Sequence, residues 1–148
     1  MPVEKSAGAV VFYKNKEPEY LLLQYPGSTK KAKDYWDFPK GHIEKGESEI
    51  ETVKREVYEE TGLKDIEILP NFKTSIKYFF QKEGKKIFKI VVFYLARANT
   101  KEVKISFEHI GFVWLPFEKA VEKVTYKNAK EVLKKAHKFL EVLENQNR

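Results

Sequence analysis

The stretch from Gly41 to Leu63, GHIEKGESEIETVKREVYEETGL, decides how the rest of this chain is read. Ser48 followed by Glu51 three residues on is a capping-box signature, and Gly62 stands where a helix-ending glycine belongs. The predicted helix lies between them. At about 100° per residue, Glu56, Glu59 and Glu60 fall within roughly a 100° arc. Ile50, Val53 and Val57 lie beside that arc and can face a core. Like charges at these spacings disfavour a helix by roughly a few tenths of a kcal/mol per pair, so a cation is expected to offset them. Oxygen donors with no Cys or His among them suit a hard ion, Mg²⁺ or Mn²⁺, rather than zinc. Taken alone, EVYEE reads more plainly as a solvated acidic face.

As a whole the stretch resembles the Nudix box, G-x5-E-x7-R-E-U-x-E-E-x-G-U with U a bulky aliphatic residue, and it does so without a departure. The resemblance implies an α/β (α+β) fold, a Nudix-type α/β/α sandwich about a central mixed β-sheet. It implies hydrolysis of a phosphoanhydride, with Mg²⁺ as the cofactor and Mn²⁺ as a substitute. Glu56, Glu59 and Glu60 would then supply metal ligands or basicity. Arg55 would pair with Glu47 and hold the loop against the helix, a charge-assisted arrangement. Gly41 and Gly62 would be the structural glycines of the box.

The flanks carry a narrower resemblance, to the asymmetric diadenosine tetraphosphate hydrolases. WDFPKGHIEKGES looks like their W-x-x-P-K-G-H segment, and SFEHIGFVWL like their EH…W segment. By that likeness Lys40 and His42 contact phosphates, Tyr78 and Tyr126 sandwich an adenine, and Lys89 reaches a phosphate. Glu108 approaches the metal cluster. Which of Glu56, Glu60 and Glu108 deprotonates the water stays open. The plain readings differ: Tyr78 as core, Lys89 snorkelling from its strand, His42 and His109 as ordinary turn residues, and His137 at a helix boundary without a role. The expected reaction is diadenosine tetraphosphate to ATP and AMP. The alternatives are an RNA 5′-pyrophosphohydrolase, another nucleoside-diphosphate-linked hydrolase, or a catalytically silent Nudix-fold RNA-binding module. The last is disfavoured because the carboxylates are all retained.

Composition sets the outer bounds. With 42% hydrophobic and 14% aromatic residues the chain can fill a core, and it is read as one domain over residues 1–148. No Cys is present, so neither disulfides nor thiolate metal sites are expected. MPVEKSAGAVV lacks a signal-peptide layout, and no apolar run approaches the ~20 residues of a membrane span. A cytoplasmic protein without a membrane partner is expected. The excess of 28 Lys and Arg over 22 Asp and Glu, a net charge of +6, suits gathering a polyphosphate. It also suits RNA as a second partner.

Strands are expected at Lys5 to Tyr13, Tyr20 to Gln24, Ile66 to Leu69, Lys101 to Ser106 and Gly111 to Leu115. Phe72 to Gln81 and Lys86 to Ala98 form a hairpin about Glu83-Gly84. Apolar residues on both faces of SAGAVVFY predict a strand covered on both sides. Pro26 to Asp34 is a basic, turn-rich loop. Phe117 to Val124 reads as a short helix. Asn128 with Glu131 marks the start of the last helix, whose stripe is Val132, Leu133, Ala136, Leu140 and Leu143.

Overall fold

A computed structural model describes residues 2–147. Its strands are β1 (Val3–Tyr13), β2 (Glu19–Tyr25), β3 (Tyr35–Asp37), β4 (Lys40–His42), β5 (Glu67–Ile68), β6 (Thr74–Lys82), β7 (Lys85–Ala98) and β8 (Gly111–Pro116). The helices are α1 (Glu49–Thr61), α2 (Phe117–Lys123) and α3 (Lys127–Gln146). β1 runs parallel to β7 and every other pairing is antiparallel, so the sheet is mixed.

Alternation along β1 builds two cores. Val10 and Phe12 join the cluster beneath α2 and α3, while Ala7, Ala9 and Val11 join the cluster beneath α1. Helices on both faces make this an α/β/α sandwich. Val53 and Val57 are fully buried under α1, each worth roughly 1.5–3 kcal/mol. Ile50, one turn earlier, departs from the expected stripe and is exposed. The β6–β7 turn places Glu83 and Gly84 both at positive φ, as a two-residue type I′ hairpin loop requires.

Two expectations are corrected. Lys101 to Ser106 is not a strand. Its Lys104 and Ser106 amides donate instead to the Thr61 and Glu60 carbonyls, satisfying helix-end acceptors that α1 leaves open. The last helix starts earlier, with Tyr126 at its N-cap and no side-chain cap. Lys130 from its first turn donates to the Val121 and Val124 carbonyls, both at 2.6 Å, locking α3 onto the end of α2. His137 is structural: its ring stacks on Phe117 and Nδ1 lies 2.6 Å from the Tyr20 hydroxyl. Among the described residues no helix is long and apolar enough to cross a membrane.

Candidate active site

α1 is framed as its caps predict. Ser48 accepts from the Glu51 amide, the Glu51 side chain answers to the Ser48 amide, and Gly62 closes the helix at φ 75°. Arg55 is the hub of the loop before it. Nε and Nη2 donate to the two Glu47 oxygens at 2.6 and 3.0 Å, and Nη2 also reaches the His42 carbonyl at 2.9 Å. Nη1 is shared between Glu56 at 2.8 Å and Glu59 at 3.2 Å.

The three box glutamates end in different surroundings. Glu59 is exposed. Glu56 packs against Gly41 so closely that a Cβ added there would overlap its carboxyl group. Glu60 is 5% exposed, and each of its oxygens is engaged. Oε2 accepts from the Lys40 amide at 2.9 Å; Oε1 accepts from the Tyr25 hydroxyl at 3.1 Å and lies 2.9 Å from His109 Nε2. Burial and the Glu60 charge hold the Tyr25 hydroxyl well above its usual range, so it remains a neutral donor.

Desolvation, with Glu60 and Glu59 adding to it, pushes the Glu56 carboxyl up to about 7. Arg55 holds Glu47 down to about 2, and Lys5 with Lys73 does the same for Glu49. These groups act on stability in opposite directions. Glu47 and Glu49 stabilise fully above the unfolded value of 4.5, and their contribution is lost as pH falls toward 2. Glu56 is easier to bury protonated, so its contribution is complete below 4.5 and is lost as pH rises through about 7. Urea midpoints of the metal-free protein, measured from roughly pH 3 to pH 8, are expected to pass through a maximum. Glu56→Gln should flatten the upper limb and leave the acid limb in place; an unchanged upper limb would remove Glu56 from this account.

A cleft of about 700 Å³ is lined by Tyr35, Asp37, Lys40, Tyr78 and Tyr126, with Lys33 of the basic loop and Asn128 and Ala129 of α3. The Lys40 ammonium is 2.6 Å from Asp37 Oδ2; burial pulls its pKa down, but Asp37 and the neighbouring tyrosines more than offset that. Tyr25 stacks on Tyr35 with centroids 5.1 Å apart, and Tyr35 meets Tyr126 at 5.4 Å. A run of rings thus leads from Glu60 into the cleft.

Lys89 and His42 lie apart from that lining and share Glu4, at 3.5 and 3.8 Å. Lys89 is buried beside Tyr78 in the β6–β7 register, and desolvation lowers its pKa. The His42 ring is largely exposed; partial burial and then Lys89 lower its pKa. Glu108 is exposed in the turn before β8, its amide 3.4 Å from Ser106 Oγ. Among the described residues no three His, Asp or Glu side chains already converge on one point. Arg55 Nη1 instead bridges Glu56 and Glu59.

Against known protein families, residues 3–136 match the NUDIX domain. The chain belongs to the Nudix family. It is 30% identical over 147 residues to the mouse bis(5′-nucleosyl)-tetraphosphatase [asymmetrical], covering 92% of this chain and 95% of that one. The crystal structure of a Caenorhabditis elegans Ap4A hydrolase binary complex superposes with a TM-score of 0.77 at 31% identity, covering 93% of this chain and 97% of the other. An RNA pyrophosphohydrolase of Bartonella bacilliformis is 30% identical over 87 residues, 56% of this chain and 50% of that relative. The protein is a Nudix hydrolase.

Four residues of this Nudix site escaped the sequence reading: Tyr25, Tyr35, Asp37 and His109. Tyr35, Trp36 and Asp37 follow one another in β3. Strand alternation separates them: Tyr35 and Asp37 go to the cleft, while Trp36 packs on the core and carries Lys123 over its ring at 4.5 Å. Alternation was the signal available. Tyr25 and His109 offered none, because their contacts to Glu60 span a large sequence distance.

Proposed function

We propose that the protein hydrolyses a nucleoside polyphosphate with Mg²⁺, Mn²⁺ serving as a substitute, and that the substrate is diadenosine tetraphosphate, cleaved to ATP and AMP. The observation that carries this is the continuity between the acidic helix and the aromatic cleft, made by Lys40, Tyr25 and Tyr35. Three neighbouring carboxylates, two of them sharing the Arg55 guanidinium and one pushed up to about 7 chiefly by desolvation and then by its acidic neighbours, suit a hard cation with oxygen ligands. Glu56, Glu59 and Glu60 are assigned to hold it, with Glu108 as the loop's contribution. Such an ion neutralises phosphate charge and lowers the pKa of a bound water.

The side chains do the rest. Glu47 and Arg55 fix the loop, and Gly41 and Gly62 give it room and an end. Tyr78, Tyr126 and Tyr35 offer faces to an adenine. Lys40, with Lys89 and His42 beyond it, lies toward the phosphates; His42, its pKa lowered, acts as a neutral hydrogen-bond group rather than a charge. The attacking water gives its proton to a carboxylate among Glu56, Glu60 and Glu108 as its oxygen bonds to phosphorus. The bond from that phosphorus to the bridging oxygen breaks, the leaving phosphate departing with that oxygen and its electron pair.

The test is a substrate panel with Mg²⁺: dinucleoside polyphosphates, nucleoside diphosphate derivatives and 5′-triphosphorylated RNA. Diadenosine tetraphosphate is expected to give the highest kcat/KM; preference for the RNA would overturn the substrate assignment. Tyr126→Ala, which removes an exposed ring whose side chain makes no capping hydrogen bond at its N-cap position, is expected to raise KM about 5- to 150-fold, from roughly 1–3 kcal/mol of base stacking. An unchanged KM would return that ring to a structural role.

A further inference from the structure

His109 occupies a position that its sequence context did not foretell. The ring is fully buried, set edge-on to Tyr25 at 4.6 Å, and its Nε2 has no aligned hydrogen-bond partner. That atom lies 2.9 Å from Glu60 Oε1, off the hydrogen-bond line. An imidazole lone pair held so near a carboxylate oxygen would be repelled, so Nε2 carries a proton. In the neutral ring Nδ1 is then the acceptor, and Ser106 Oγ, 3.0 Å away, is its donor. Ser106 Oγ in turn accepts from the Glu108 amide at 3.4 Å.

We propose that His109 is a positioning residue which, oriented by Ser106, ties the Glu108 loop to Glu60 and so sets both carboxylates relative to each other. The assignment rests on the metal reading given above. Its physical basis is the set of linked contacts: Glu108 N–H to Ser106, Ser106 to His109, and His109 to Glu60. The loop is pinned to the same helix end a second time, since the Ser106 amide donates to the Glu60 carbonyl at 3.3 Å. On its far side the Ile110 amide donates to the Gln24 carbonyl at 2.9 Å, so His109 sits between two backbone anchors. Histidine suits the place because one rigid ring presents an acceptor to Ser106 and sets a polar Nε2–H close to Glu60, though off the hydrogen-bond line. Partners that orient ligand side chains commonly cost 10–100-fold in metal affinity or activity when removed.

The test uses the full chain and Mn²⁺ alone, with affinity read by calorimetry and by the paramagnetic signal of free Mn²⁺, next to kcat, KM and the melting temperature. Glutamine can place a donor near the Nε2 position, whereas asparagine reaches only as far as Nδ1. His109→Asn is expected to weaken Mn²⁺ binding about 10-fold or more and to lower kcat with KM little changed. His109→Gln should recover most of both. Ser106→Ala, a smaller change, should move affinity and kcat in the same direction by a lesser amount. Equal behaviour of the Asn and Gln variants, or an unmoved Mn²⁺ affinity in folded Ser106→Ala, would overturn the assignment while leaving the metal reading intact. Failure of the unsubstituted protein to bind Mn²⁺ overturns the metal reading and takes this assignment with it.

Discussion

Replacing Glu60 by glutamine is expected to lower turnover by about 10²–10³-fold and to destabilise the fold by roughly 1–3 kcal/mol. Both effects follow from its burial and its donors. The Lys40 amide faces one oxygen; the Tyr25 hydroxyl and His109 face the other. A glutamine has one acceptor oxygen, so its amide nitrogen must face the Lys40 amide in one orientation and His109 Nε2 in the other. The single Tyr25 proton is free to stay on the Phe38 carbonyl. Glu59 supplies the contrast. It is exposed, and its one contact is Arg55 Nη1 at 3.2 Å. Glu59→Gln should lose a similar share of turnover, since a ligand charge worth several kcal/mol in the transition state is gone. Its stability should stay within about 0.5 kcal/mol of the parent. Chemical denaturation and steady-state rates on the two variants separate the roles. Near-parental turnover in either folded variant would remove that glutamate from the metal set.

Gly41→Ala should damage both the fold and the carboxylate cluster. The new Cβ would overlap the Glu56 carboxyl group, while Gly41 itself is held in register against Ala7 of β1. The backbone of β4 is pinned on both sides, by Ala7 and by the Lys40 amide on Glu60, so the side chain gives way. Glu56 swings out, breaking its 2.8 Å contact to Arg55. The fold should lose about 1–3 kcal/mol, the usual cost of overpacking. Turnover should fall by about 100-fold or more, because Glu56 leaves the carboxylate set and its shared guanidinium shifts. A melting curve beside kcat decides it: a stable variant with normal rates would show that Glu56 has no fixed post against Gly41.

How much of this was legible differs element by element. The capping box at Ser48, the left-handed Gly62, the Glu83-Gly84 hairpin turn and the carboxylate arc could all be read because each depends on residues within a turn or two. The double-sided apolar run in β1 announced two cores, and Val10 against Val11 shows the division. Lys101 to Ser106 misled because its amides are used by a helix end rather than a ladder, a partner that lies about forty residues earlier. Asn128 misled because Tyr126 takes the cap position and Lys130 ties the turn to α2. Lys89 could be read as snorkelling from its strand, but its partner Glu4 could not be inferred, since β1 and β7 pair in parallel across most of the chain.

The amino-acid sequence by itself determined the acidic helix, its ends and the arc of carboxylates along it, while the pairing of Arg55 with Glu47 was what the resemblance to the Nudix box implied. Those properties are local: capping, periodicity and glycine conformation act over a few residues. Tertiary structure alone decided that Glu60 is buried among donors while Glu59 faces water, that Tyr25 and Tyr35 join the helix to the cleft, and that His109 reaches the same carboxylate from a distant loop. The reason is desolvation and hydrogen bonding across the sheet, which depend on which strands and loops are brought together rather than on the order in which their residues are written.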